Sequence, residues 1–443
     1  MKGIVIASNA SGGGKTTLTL GLMKALIDRG YDVQGFKVGP DYIDPAFHEK
    51  ITGKSSRNLD FHLMGEKGVK ASFSRGKGDV AVVEGVMGIY DGKGISSEGS
   101  TAHIADLLNL PIILVITPKA QSLTLCAELK GILEFGQASI QGVIFNNITE
   151  SYFKLLKVLV EQNLKLKVYG YLPKNEGLAL KSRHLGLVQS SEVKDLEEKI
   201  SLCSTLLNEN LDMEELIKDL KTCESESYED SYMLNNKNIN IAIAKDEAFS
   251  FYYKENIELL EQAGTVKYFS PLRDEKLPEN IDFLYIGGGY PEVFREELSK
   301  NKALLQDIRV RLEMGLRCYA ECGGLMYLTE AIEGSPQVGF FKGQSFMTSR
   351  LQNFGYANLE VAEENVLLPK GTSISCHEFH KSYVDLEEKA IYEVKKNNFD
   401  NSQKVWDCGY VKNNTLGAYA HVHFFGNIKF LDALTTIKHD SNS

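Results

Sequence analysis

Ser11-Gly12-Gly13-Gly14-Lys15-Thr16-Thr17 lies between a short apolar run, Ile4-Val5-Ile6, and a stretch with helical apolar spacing from Thr16 to Arg29. A glycine-rich turn between strand and helix lets backbone N–H groups point inward on phosphate oxygens, and the helix start adds partial positive charge. Lys15 would bring a full charge to the β- and γ-phosphates, and Thr16 a hydroxyl of the kind Mg²⁺ accepts. Gly12, Gly13, Gly14, Lys15, Thr16 and Thr17 therefore read as a cradle for ATP. The loop is a variant, because Asn9 stands where the strict pattern has its first glycine. Phosphoryl transfer also needs acids to hold the metal. Glu84 follows Val82-Val83, and Asp41 and Asp44 follow Phe36-Lys37-Val38. Ligands of open parallel sheets gather at such strand ends, although a lone acid there is as often a solvated loop or a helix cap. Asn146, after Val143-Ile144-Phe145, is placed to read adenine with its amide or simply to make a turn.

A second constellation surrounds Cys322. Ala320 and Gly324 stand two positions to either side of it, between Leu316–Ala320, read as a strand, and the helical Leu325-Met326-Tyr327-Leu328. Small-x-nucleophile-x-small is the spacing of a sharp strand-to-helix turn, and the start of a helix favours a thiolate. Such a thiol wants an imidazole base. His421 and His423 lie at strand alternation in Leu416–His423 and could both face one side. Gly287-Gly288-Gly289 follows another strand, and the amides of Gly289 and Gly323 are candidates for an oxyanion hole. Cys126, Cys203, Cys318 and Cys376 read as inert core thiols. His377-Glu378-Phe379-His380 is not the HExxH of a helical zinc site; its spacing and its place after Ser373-Ile374-Ser375 make it a strand, with substrate contact as its remaining use.

These groups need a scaffold. The first half alternates β-branched runs (Val33–Val38, Val80–Val83, Ile112–Ile116) with helical patterns, as a parallel sheet covered on both faces does. A second α/β pattern restarts at Ile239–Ala244. At roughly 100–200 residues per domain, 443 residues suit two or three domains. We expect a nucleotide- and substrate-binding domain over 1–190, a helical extension and acidic linker over 191–238, and a second domain over 239–443. A net charge of -10 argues against a sequence-independent nucleic-acid binder. Seven cysteines without a CxxC pair suit reduced thiols in a cytoplasm. No secretory segment is legible at Met1, and Leu107–Ile116, broken by Asn109 and Pro111, is too short to span a membrane.

Taken together and in this order, the motifs resemble the cobyrinate a,c-diamide synthases of corrin biosynthesis. Besides the phosphate loop, Lys37–Pro45, Glu84–Gly92, Arg183-His184-Leu185-Gly186-Leu187, Asp246–Tyr253, Gly287–Glu292, Cys322–Tyr327 and the His377–His380 run carry the resemblance, which covers almost the whole chain. It implies an α/β protein in which a dethiobiotin-synthetase-like P-loop domain precedes a glutamine amidotransferase domain. It implies that Cys322 hydrolyses glutamine with His421 as base, and that Lys15, Thr16, Asp41 and Glu84 serve ATP and Mg²⁺. It places Tyr42, Asp44 and Asp91 near the carboxylates of a corrinoid, and it allows a homodimer. Where broader relatives carry a Glu two residues after the base, this chain has His423, so what orients His421 stays open. Thr117-Pro118 stands where related chains often carry an acid. The rival macrocycles are nickel-sirohydrochlorin and hydrogenobyrinate. A P-loop ATPase switch without ligase activity is more distant: many carry a second loop lysine where Ala10 stands, and none would use the Cys322 turn.

Overall fold

The computed structural model describes residues 1–136, 138–179, 195–223 and 232–437, and the backbone of 182–183 and 186–187. His184 and Leu185, the 190/191 boundary and most of the acidic linker lie outside the described residues. The chain divides into two compact units: Met1–Phe61 with Glu66–Tyr228, and Glu229–Ser443 with the short piece His62–Gly65.

The first unit is built on one sheet in the order Arg57–Leu59, Val33–Val38, Val80–Glu84, Lys2–Ser8, Ile112–Ile116, Ile140–Ile148, Lys167–Pro173. These seven strands are all parallel, and Lys221–Thr222 adds an antiparallel edge to Lys2–Ser8. Their continuous apolar runs follow from cover on both faces: Val33–Val38, Val80–Glu84 and Ile112–Ile116 are buried at every position. Helix Lys15–Asp28 packs on one face, and helix Leu196–Asn210, from the stretch read as an extension, packs on it in turn. A Cβ on Gly21 would stand 2.4 Å from Cys203 Sγ, so glycine is what lets the two helices approach. Burial pushes the Cys203 thiol up to about 12, which keeps it protonated and inert.

The second unit has a mixed sheet. Gly264–Phe269, Ile239–Ala244, Phe283–Ile286, Arg317–Glu321 and Thr415–Ala418 run parallel, and the sheet continues antiparallel through Gln403–Lys412, Ala390–Asn397 and Gly343–Val361. Ser373–Leu386 pairs with Gly343–Val361. The single strand expected over Leu416–His423 is two: Thr415–Ala418 pairs with Arg317–Glu321, and His421–Val422 pairs with Ser373–Leu386. The break at Tyr419-Ala420 lets the chain change partners, which carries His421 to a different neighbour. All seven cysteines are free. No helix of the described residues is long and apolar enough to cross a membrane.

Candidate active sites

In the first unit the phosphate loop starts where Lys2–Ser8 ends. Gly12 and Gly14 have φ of +75° and +80°, which glycine adopts without the strain a side chain would add. A Cβ on Gly13 would stand 2.3 Å from Ser8 Oγ, and one on Gly14 2.2 Å from Asn146 Nδ2. Asn146 Nδ2 donates to Gly13 O at 3.2 Å and to Thr117 Oγ1 at 3.0 Å, and Thr117 Oγ1 donates to Gly13 O at 3.1 Å. The structure thus places Asn146 and Thr117 as braces of the loop backbone. Lys15 Nζ donates to Met87 O at 2.6 Å. Burial, followed by the neighbouring Lys37 charge, pulls the Lys15 ammonium down to about 8.

That lysine should make nucleotide binding depend on pH. Below about pH 8 Lys15 carries its charge, and above it the bound phosphates must recruit a proton. By linkage, the ATP dissociation constant should rise toward about tenfold per pH unit above that point. Calorimetric titration of the full chain from neutral to alkaline pH checks this; an affinity unchanged through the alkaline range would refute it.

The acids converge beside the loop. Lys37 and Asn58, Glu84 and Ile6 are cross-strand partners in the parallel ladder, and Lys37 is itself in register with Glu84, so the Lys37 and Glu84 side chains share a face. Glu84 is fully buried; its Oε1 accepts from Thr16 Oγ1 at 2.6 Å and from Lys37 Nζ at 3.2 Å, and its Oε2 lies 2.8 Å from His48 Nε2. Lys37 also pairs with Asp44 Oδ2 at 2.7 Å, and Asp44 Oδ2 lies 3.5 Å from Thr16 Oγ1. Asp41 Oδ1 accepts from the backbone N–H of Ile43 and Asp44 at 2.7 and 3.1 Å, capping helix Ile43–Thr52. Tyr42 stands at that helix start, and Asp91 Oδ2 accepts from Gly88 N at 2.8 Å. Burial works against ionised Glu84, yet the Lys37 charge and the His48 contact hold its carboxyl well below the usual range. The excess of negative charge falls on Asp44, pushed well up by burial and then by Asp41 and Glu84.

That excess is what a divalent cation would relieve, and the hydroxyl and carboxylate oxygens around Thr16 are the hard donors Mg²⁺ prefers. Mg²⁺ is commonly held by one or two protein oxygens together with substrate phosphates and retained water. Reading the sequence for acids missed Lys37 as a site residue and missed His48 altogether. Their signals were a lysine inside a buried strand and a histidine four residues after Asp44, on the same helical face.

In the second unit Cys322 links strand Arg317–Glu321 to helix Gly323–Leu328 with φ +48° and ψ −100°. The turn has no room for side chains. A Cβ on Gly324 would meet Ile286 O at 2.2 Å, one on Gly289 would meet Ala248 O at 2.0 Å, and one on Gly288 would meet His421 Cε1 at 2.6 Å. A Cβ on Gly323 would stand 3.2 Å from Gly289 N, so the two candidate oxyanion amides are neighbours. Cys322 N donates to Ala418 O at 2.7 Å, which ties the turn to the segment leading to His421. The helix start does not make the thiol acidic here. Burial, and then the charges of Glu292 and Glu378, push it well up, against a bond from the Gly323 N–H. A buried, protonated thiol needs a base. The strained turn should also show in stability: Cys322→Gly should be about 1 kcal/mol more stable than Cys322→Ala, because glycine relieves the positive φ. Equal denaturation midpoints for the two variants would contradict this.

The two histidines separate. His421 is buried, with Nδ1 3.7 Å from Glu321 Oε2, and its ring stacks on that of His377 at 5.0 Å and 16°. His423 does not share that face: it caps the turn Phe424–Gly426, and its Nε2 lies 3.4 Å from Glu255 Oε2. The His377–His380 run is strand, as expected. His377 is the ladder partner of His421, and Tyr253 OH lies 2.8 Å from its Nε2. Glu378 contacts His380 Nε2 at 2.9 Å and Trp406 Nε1 at 3.0 Å.

Comparison with known proteins matches these two constructions. Residues 4–188 match the CobQ/CobB/MinD/ParA nucleotide binding domain, and residues 240–428 match the CobB/CobQ-like glutamine amidotransferase domain. A cobyrinate a,c-diamide synthase of Clostridium acetobutylicum is 63% identical over 98% of this chain and 100% of its own length. Those of Clostridium tetani, at 62% over 98% and 99%, and of Caldanaerobacter subterraneus, at 41% over 97% and 97%, are similar along their whole lengths.

Proposed function

Because the chain belongs to the cobyrinate a,c-diamide synthase family, we propose that it uses ATP and glutamine to amidate the a and c acetate carboxylates of cobyrinate. Two kinds of site in one chain support this reading most: a P-loop beside a buried carboxylate set, and a cysteine held at φ +48° before a short helix.

At the second site the Cys322 thiol gives its proton to His421 as sulfur bonds to the side-chain carbonyl carbon of glutamine. The Gly289 and Gly323 amides take the charge that develops on oxygen. Collapse expels ammonia with that proton, and water, deprotonated by His421, releases glutamate from the thioester. At the first site Lys15 and the loop amides hold the phosphates of ATP while a substrate carboxylate attacks the γ-phosphorus. ADP leaves, and ammonia displaces phosphate from the acyl phosphate. Thr16 and Glu84 would hold Mg²⁺, which when bound offsets the charge of the phosphates. Asp44, expected at the macrocycle, lies 3.5 Å from Thr16 Oγ1 and joins that set in place of Asp41, whose Oδ1 is taken by the helix start. Asp41 serves that set by fixing the start of the helix that carries Asp44. Tyr42 and Asp91 are assigned to the macrocycle carboxylates, and Asn146 to the nucleotide through the loop it braces.

The test is product analysis of the purified chain with ATP, glutamine and each of cobyrinate, nickel-sirohydrochlorin and hydrogenobyrinate. Diamide formation with the first in clear preference is expected. Preference for either of the others reassigns the substrate, and ATP turnover without any amide on the three overturns the ligase reading.

A further inference from the structure

We propose that Glu321, the residue immediately before the nucleophile, is the carboxylate that positions His421. This rests on the amidotransferase reading of Cys322 and His421.

Glu321 ends strand Arg317–Glu321, in register with Ala418, three residues before His421. It is 1% exposed. Its Oε2 accepts from Tyr285 OH at 3.1 Å and lies 3.7 Å from His421 Nδ1, while its Oε1 accepts no hydrogen bond among the described residues. The Tyr319 phenol also faces this carboxylate and is pushed well up by burial and then by it. Among the described residues, the groups against Glu321 besides His421 are thus neutral phenols. A buried carboxylate met by neutral donors alone is costly unless a cation comes to it. The imidazolium that forms when His421 takes the thiol proton is such a cation. The 3.7 Å separation is beyond hydrogen-bond length, but catalytic contacts are commonly long before substrate binds and tighten afterwards.

Among the described residues, several groups near the pair are engaged elsewhere or carry no charge for it. His377, stacked on the opposite strand, is kept neutral by burial and then by His421. Tyr253 is engaged with His377, Glu255 faces His423, and Glu378 is held by His380 and Trp406. The Tyr285 phenol, pushed well up by burial and by Glu321, remains a neutral donor. With Nδ1–H turned to Glu321, Nε2 is the nitrogen that receives the Cys322 proton and later gives it to ammonia. The place of the Glu missing after the base is thus filled from the nucleophile's own strand.

The test is a double-mutant cycle of glutaminase kinetics on the full chain: wild type, Glu321→Gln, His421→Ala and the double variant. Glu321→Gln should lower kcat at least about 10²-fold with the glutamine KM nearly unchanged, as expected of a buried group that orients the base rather than the substrate. In the His421→Ala background the same change should cost under about threefold, because the positioning role is gone and the Glu321 charge, which pushes the Cys322 thiol up, then only opposes thiolate formation. A wild-type kcat in Glu321→Gln, or an equal loss in both backgrounds, overturns the proposal. If Glu321→Gln does not fold, Glu321→Asp takes its place: it keeps the charge but draws it back by one methylene, and a drop in kcat at constant KM is expected. An unchanged kcat in Glu321→Asp overturns the proposal. If Cys322→Ala still hydrolyses glutamine, the amidotransferase reading itself fails; if Cys322→Ala is inactive while Glu321→Gln is normal, only the role of Glu321 fails.

Discussion

Cys322→Ala should form no diamide from glutamine, a loss of at least about 10⁴-fold, and still form it from ammonium at alkaline pH, where free ammonia is present. The thiol is the only atom group removed, and the substitution leaves Lys15, Thr16 and Glu84 in a different compact unit untouched. His421→Ala should lose the glutamine reaction nearly as fully. Because burial holds the Cys322 thiol protonated, the residual rate of His421→Ala should climb with pH as solvent takes over the deprotonation. His423→Ala should be milder in catalysis, since its imidazole caps a turn and faces Glu255. Product formation by each variant with the two nitrogen sources decides the matter. Full glutamine-dependent activity in Cys322→Ala would refute the amidotransferase assignment, and a folded Cys322→Ala that is dead with ammonium would show that the two sites are not independent.

Glu84→Gln should abolish diamide formation, by about 10³-fold or more, and leave glutamine hydrolysis standing. The carboxylate has no surface to share its charge with: Thr16, Lys37 and His48 take both of its oxygens. Removing the charge leaves Lys37 with Asp44 as its remaining ion-pair partner, beside the Gly85 carbonyl it also donates to at 3.0 Å, and takes a hard oxygen from the side of Thr16. Losing one partner of a buried ion pair costs about 3–5 kcal/mol in other proteins. Here the loss should be smaller, because the set holds more carboxylates than Lys37 can neutralise and Asp44 already bears that excess. Diamide yield, glutaminase rate and thermal unfolding of the same preparation separate the effects. Near-normal diamide formation would remove Glu84 from the site; loss of both activities together with a collapsed melting temperature would assign it to folding instead.

The sequence by itself determined the local constructions. Glycine at 12 and 14 is demanded by positive φ, glycine at 13, 289 and 324 by backbone or side-chain atoms closer than a Cβ allows, and these positions stand in the sequence as runs no ordinary loop requires. The buried apolar strands between helical patterns declared a parallel sheet for the same reason: both faces must be apolar when both are covered. The glycine loop and the cysteine turn were therefore legible from spacing, and Glu84 from its place at the end of a buried strand. What tertiary structure decided was which polar side chains meet. Lys37 reaches Glu84 because parallel register sets them side by side, and His48 reaches it because the helix capped by Asp41 lies over that strand end. His421 and His423 are two residues apart and look equivalent in sequence, yet one pairs with the strand of His377 and the other turns to Glu255. Glu321 looked like a flanking residue and faces His421 Nδ1. Propensity and periodicity depend on neighbours in the chain, whereas partners of buried charges are chosen by register and packing between segments far apart in it, and that choice exists only once the chain has folded.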